Sequence, residues 1–298
     1  MIASSIFAIE ERRHNRMTKA QFPAPSPRHH LILASGSPRR RELLQEAGYA
    51  FTIMPPKEEV ECGVCSESGP GGLVAELAYR KAAAVRNKLK TESLPLPLSR
   101  SPLLILAADT VVECDGFILG KPRDEQDARN MLAQLSSREH RVLTGVCLWP
   151  VEHPLSPPRD SGEGAFPPLA PGAGQGEGAL LPSPKRLIPA QLLKNAREFE
   201  RQDTFTPSPS PEGKDEPLIR VAVTKLRMDP LNQEQFDDYI ASGQWEGKAG
   251  AFGYQDRLGW VHIVEGSETN VVGLPMELLA EMLAEVARSR GQEAGRSE

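Results

Sequence analysis

The sequence predicts an α/β fold, a mixed twisted sheet flanked by helices, and three observations carry that prediction. Apolar runs of strand length alternate with segments of helical periodicity through the first half of the chain. Asp115-Gly116 stands between Val111–Glu113 and Phe117–Leu119, the signature of a tight β-hairpin. Arg141–Trp149 and Leu218–Arg227 read as two further strands, the second alternating Ile219, Val221 and Val223 with more polar neighbours. Crossovers and hairpins in one chain require both parallel and antiparallel pairing.

The 298 residues leave room for one large or two ordinary domains. A formal charge of −5 argues against a general binder of nucleic acid or acidic membranes, whose footprint is a basic face. No apolar run reaches the roughly 18 residues of a membrane span. The start, MIASSIFAIEERRHNRM, places its charges after a short apolar patch, the reverse of a secretory signal, so a cytoplasmic location is expected. Cys62, Cys65, Cys114 and Cys147 are too scattered for a secreted disulfide framework, and reduced thiols are expected.

Residues 1–28 lack periodicity and end Pro-rich, which predicts a disordered extension, with Met17 as an alternative start. Leu31–Ala34 then reads as a buried strand that breaks at Ser35-Gly36 into a helix. Ser37 is its N-cap, Pro38 its first residue and Gly48 its left-handed stop. Arg39, Arg40 and Arg41 occupy the first turn, where unpaired amides and the dipole disfavour cations unless an anion offsets them. One reading is a phosphate site in which the hydroxyls of Ser35 and Ser37, backbone amides and guanidinium forks converge; the other is a Ser-Pro helix start with solvated arginines.

Phe51–Met54 reads as a second strand, leading into a polar loop over Pro55–Gly72. In that loop Glu58, Glu59 and Glu61 are either a solvated acidic turn or metal ligands. Cys62 and Cys65 lack the second ligand pair of a structural zinc site and the strand-helix context of a redox pair. A helix over Leu73–Leu89 places Lys81 among alanines, where it either reaches into a cleft or snorkels at the surface. The apolar run Leu103–Ala108 ends in Asp109-Thr110. A carboxylate at the C-terminal end of a buried strand is where α/β proteins place ligand chemistry, with a capping or turn Asp as the alternative. Gly120-Lys121-Pro122 is no P-loop, because its glycines are one residue too close and Pro122 replaces the metal-holding hydroxyl. Lys121 remains as a charge available to phosphate.

Asp124–Leu135 reads as a capped amphipathic helix. Residues 150–217 then hold 14 of the 27 prolines and the repeat GAGQGEG, so a Pro/Gly-rich insertion at a hairpin tip is expected, with Leu187–Phe199 its one candidate helix. It is either a disordered loop or a partner-binding segment. Asn232–Ser242 reads as a helix, and Gly247–Gln255 as a glycine-dense loop that a ligand approaches or that needs positive φ. Trp260–Val264 is a strand, Glu265–Asn270 a polar turn and Pro275–Ala287 a final helix. The domain is expected over 29–288, with 289–298 a frayed tail.

SGSPRRRELL, AADTVV, LGKPRD, KAGAFGYQ and NVVGLP, in that order and spacing, resemble the Maf family of nucleoside triphosphate pyrophosphatases, whose ITPase-like fold places two lobes around a cleft. The resemblance covers nearly all of 31–285 outside the insertion. It implies hydrolysis of a nucleoside triphosphate between the α and β phosphates, a divalent cation (magnesium or manganese) and a homodimer. Carried onto these positions, it makes Asp109 the catalytic base and a metal contact, Lys81, Lys121 and Arg40 stabilisers of transition-state charge, Ser35, Ser37 and Arg40 triphosphate contacts, and Glu59 a second metal contact.

Within that family one branch resembles dTTP and UTP pyrophosphatases and another prefers 7-methyl-GTP. Arg39 stands where the methyl-GTP branch carries Trp, Thr110 where it carries Gln, and Gln255 lies in a GAFGYQ context; all three match the dTTP/UTP type. The Gln255 amide can read a pyrimidine edge by paired donor and acceptor. Asp256 replaces a glycine that commonly follows, a departure expected to bear on base preference. The competing readings are a 7-methyl-GTP pyrophosphatase and a nucleotide-sensing regulator connected with septum formation.

Overall fold

The computed structural model describes residues 29–57, 69–91, 102–151, 216–256 and 258–294. The extension with Met17, the segment holding Glu58, Glu59, Glu61, Cys62 and Cys65, residues 152–215 with their candidate helix, and residues 295–298 lie outside the described residues.

Seven strands form one sheet: β1 (His30–Leu33), β2 (Phe51–Ile53), β3 (Leu103–Cys114), β4 (Phe117–Leu119), β5 (Glu139–Val151), β6 (Leu218–Met228) and β7 (Val261–Glu265). Their order is β2-β1-β3-β5-β6-β7, with β4 on β3. β1 runs parallel to β2 and β3, and all other pairings are antiparallel. The hairpin expected at Asp115-Gly116 is present, both residues having the positive φ (51° and 83°) that a two-residue turn matched to strand twist requires.

Among the described residues six α-helices cover the sheet: α1 (Pro38–Glu46), α2 (Gly69–Thr91), α3 (Glu125–Leu135), α4 (Gln233–Ala241), α5 (Glu268–Val272) and α6 (Met276–Ala294). Strand alternation divides the core between them. Leu104, Leu106 and Ala108 pack with Leu43 and Leu44 of α1 and Leu279 and Met282 of α6. Leu103, Ile105 and Ala107 face the other way, onto Ala75, Ala78, Ala82 and Val85 of α2. A third cluster joins the far ends of β3, β5 and β6 to α3 and α4. No helix of the described residues is long and apolar enough to cross a membrane.

Four local expectations are corrected. Asp109 does not end its strand: β3 continues to Cys114, because β5 pairs it without interruption from Leu103 to Glu113. The polar turn at 265–270 contains α5, whose entry is held by Ser267 and Thr269 hydroxyls donating to Glu277 at 2.7 and 2.8 Å. Ser37 occupies the N-cap position, but its hydroxyl makes no capping bond, and its amide donates to Ser35 Oγ at 3.3 Å instead. Strand β5 runs through Pro150 to Val151, so the sheet overruns the boundary drawn at 150.

Gly145, directly opposite Asp109 on β5, decides how closely α2 approaches. A Cβ there would stand 2.3 Å from the Val74 carbonyl oxygen. The helix backbone therefore rests on the sheet at the point where Asp109 faces it.

Candidate active site

Near its centre the sheet opens along β3. On one edge of β3, pairing with β1 ends at Leu106 and pairing with β4 begins at Val112, so residues 107–111 have no strand neighbour there among the described residues. Alternation sends Asp109 toward α2 and Thr110 toward α1 from this gap. A cavity of about 740 Å³ surrounds it, within the range of small-molecule sites.

Lys81 comes from the middle of α2 and is buried, donating to Asp109 Oδ1 at 2.6 Å. The surface-snorkelling alternative is thereby excluded. No hydrogen bond to Asp109 Oδ2 occurs among the described residues, and the carboxylate lines the cavity.

The three arginines separate by position. Arg40 is buried and donates through Nε to the Gly273 carbonyl at 2.7 Å, through Nη1 to Ser35 Oγ at 3.0 Å and through Nη2 to Thr110 Oγ1 at 3.1 Å. Thr110 Oγ1 in turn lies 3.0 Å from Thr144 Oγ1, whose hydroxyl donates to the Asn270 carbonyl at 3.3 Å. A rigid polar chain thus fixes the guanidinium plane at the cavity wall. Arg39 reaches across to donate to the Gly247 carbonyl at 3.1 Å, and burial pushes its pKa down, with the Asp256 charge opposing that shift. Arg41 is exposed.

The cavity also takes in Ser35, Ser37, Lys121, Gly247, Gly253 and Gln255. Every candidate site residue among the described residues, namely Ser35, Ser37, Arg39, Arg40, Lys81, Asp109, Thr110, Lys121 and Gln255, therefore lines one cavity. Glu59 lies outside the described residues. The glycine-dense loop has the expected positive φ at Gly247 (67°) and Gly250 (69°), and Gly250 N donates to the Gly120 carbonyl at 3.0 Å, tying the loop beside Lys121.

Sequence reasoning passed over His140, Gly273 and Thr144. His140 and Val142 line the cavity from one face of β5 and the buried Thr144 follows on the same face, a period-two spacing that was available in the sequence. Gly273 acts through its carbonyl, which no side-chain reading reveals. Away from Arg40 the wall turns apolar, with Val112, Leu135, Val142, Leu226 and Phe252 around His140. Burial holds the His140 imidazole below its ordinary pKa.

Among the described residues no three His, Cys, Asp or Glu side chains converge as a metal cage. One carboxylate in a cavity also lined by Arg40, Lys81 and Lys121 would nonetheless fit magnesium brought in with a phosphate-bearing ligand, since that ion keeps its waters and binds through one or two carboxylates plus phosphates.

A family model described as Maf-like protein matches residues 30–160 and 205–286. A protein of Rhodopirellula baltica named dTTP/UTP pyrophosphatase is 37% identical over 273 residues, covering 90% of this chain and 88% of the relative. Relatives of the same name in Agathobacter rectalis (32% identical, 85% of this chain, 95% of theirs) and Anaeromyxobacter (34%, 85% and 87%) align over nearly the same extent. With the family's matched residues framing both walls of the cavity, the chain belongs to the Maf-like protein family.

Proposed function

We propose that this chain is a nucleoside triphosphate pyrophosphatase that converts dTTP and UTP to the monophosphate and pyrophosphate. The observation that carries the proposal is a single cavity lined both by Arg40, Lys81, Lys121 and the Asp109 carboxylate and by an apolar set, Val112, Leu135, Val142, Leu226 and Phe252, against which a nucleobase can pack. Water attacks the α phosphorus as Asp109 takes its proton, and the bond from that phosphorus to the bridging oxygen breaks, so the bridging oxygen leaves with pyrophosphate. Arg40, pre-set by its three acceptors, and the two lysines meet the charge that spreads over the phosphate oxygens. Asp109, with Glu59 as the further candidate, would hold a magnesium or manganese ion, which would supply charge neutralisation to the phosphates. Gln255 reads the base edge, with Arg39 and Thr110 as the other selecting positions. The proposal includes a homodimer, which sedimentation analysis checks.

Pyrophosphate release is measured with dTTP, UTP, CTP, GTP and 7-methyl-GTP in the presence of magnesium or manganese. Preference for dTTP and UTP is the expected result. Faster turnover of 7-methyl-GTP would move the chain to the other branch, and binding without turnover of any nucleotide would favour the sensing role.

A further inference from the structure

The loop that carries Gln255 closes over a part-buried ion pair. Lys248 Nζ lies 2.5 Å from both carboxylate oxygens of Asp256, and the Tyr239 hydroxyl donates to Asp256 Oδ2 at 2.9 Å. The side chains of the pair are only 13% and 9% exposed, so this contact is not a solvent-screened surface bridge. Asp256 stands beside Gln255, yet Gln255 lines the cavity and Asp256 does not. The base-preference role expected for Asp256 from the sequence is therefore not one of direct contact.

Three features make the pair a lock on that turn. The Asp256 amide donates to the Gly253 carbonyl at 3.0 Å, closing the turn with Gln255 inside it. Gly253 packs directly over the pair, since a Cβ there would stand 2.7 Å from Lys248 Nζ and 2.9 Å from Asp256 Oδ2. At the loop's start, Arg39 holds the Gly247 carbonyl from α1. The loop is thus pinned at one end by a helix on the cavity wall and drawn shut at the other by opposite charges eight positions apart.

We infer that Lys248 and Asp256, braced by Tyr239, are positioning residues that fix Gln255 for nucleobase discrimination. The inference rests on the reading of Gln255 as the base-contacting residue. Removing either partner leaves the other charge part-buried without its direct counter-charge, so the turn reorganises to hydrate it. Arg40, Lys81 and Asp109 belong to other elements and keep their contacts. The consequence falls on which base is accepted rather than on the phosphoryl chemistry.

The test compares Asp256→Asn, Lys248→Met and Tyr239→Phe with Gln255→Leu in the full-length protein. The readouts are kcat and KM for UTP and CTP, inhibition by pyrophosphate, and Tm. The expected result is a fall of about tenfold or more in the UTP-over-CTP ratio of kcat/KM, carried by KM, for Asp256→Asn and Lys248→Met, with pyrophosphate inhibition unchanged. Tyr239→Phe gives a smaller change in the same direction, and it supplies the readout if either charge variant fails to fold. Gln255→Leu flattens the ratio at an unchanged Tm. An unchanged ratio in folded Asp256→Asn and Tyr239→Phe, with Gln255→Leu altered, overturns the lock while sparing the Gln255 reading. An unaltered Gln255→Leu overturns both. Should the wild-type protein hydrolyse neither nucleotide, the proposed activity fails separately, and the lock is then decided by calorimetric binding of UTP against CTP to the same variants.

Discussion

The Lys81 ammonium and the Asp109 carboxylate meet at 2.6 Å although one comes from a helix and the other from the middle of a central strand. With Oδ1 held by Lys81, the orientation of the carboxylate is set before any substrate arrives. Asp109→Asn preserves the shape and removes the proton acceptor proposed above. It is expected to lower kcat by about 10²- to 10⁴-fold, with nucleotide binding measured by calorimetry changed far less.

Among the described residues Arg40 donates to acceptors from three separate segments: Gly273, Ser35 and Thr110. A lysine keeps the charge but has a single head group and cannot hold that fork. Arg40→Lys is expected to reduce kcat/KM by roughly 10- to 100-fold, the equivalent of one or two charge-assisted hydrogen bonds. Steady-state kinetics with UTP, read alongside Tm, separate this loss from unfolding.

Gly145 exists to admit a helix backbone rather than to form a turn. In Gly145→Ala the new methyl meets the Val74 carbonyl at 2.3 Å, and neither backbone can yield cheaply. The expected cost is about 1–3 kcal/mol in urea denaturation. Because α2 carries Lys81, kcat is expected to fall as well.

His140 makes stability depend on acidity. Burial depresses its pKa below the ordinary 6.5, so as pH drops past that value the unfolded chain takes a proton that the folded chain refuses. The unfolded state then binds more protons, and stability falls with falling pH in the window that opens below about 6.5. His30 shifts in the same direction for the same cause. His140→Gln is therefore expected to shrink, without abolishing, the Tm loss between pH 7.5 and 5.5 followed by circular dichroism.

The legibility of this chain in its sequence follows the range of the interactions involved. The Asp115-Gly116 turn, the Asp124 cap bonded to Asp127 N at 2.8 Å and the capping box of Asn232 and Gln235 are local, and each is where the residues put it. The position of Asp109 within its strand was not legible, because it depends on β1 stopping at Leu33 while β5 continues alongside. Lys81 among alanines supports two destinations, the surface being the more usual, until Gly145 seats the helix. The helix at 268–272 depends on Glu277, a partner beyond the local window. Arg39, Arg40 and Arg41 look alike in sequence and part company only when Gly247 and Gly273, more than two hundred residues away, supply their carbonyls.

The β5–β6 junction has a consequence for how this protein can change. β5 pairs with β6 as far as Leu148 with Leu218, and the intervening chain leaves after Val151, which is opposite Leu103. Asp109 is opposite Gly145, so that departure point lies about 20 Å along the strand from the reacting centre, at roughly 3.3 Å per residue. The family match breaks off after 160 and resumes at 205, inside this same excursion. Both described ends of the excursion are therefore anchored by the β5–β6 ladder and not by residues of the cavity, which makes the junction the place where a change of chain length pulls least on the described site.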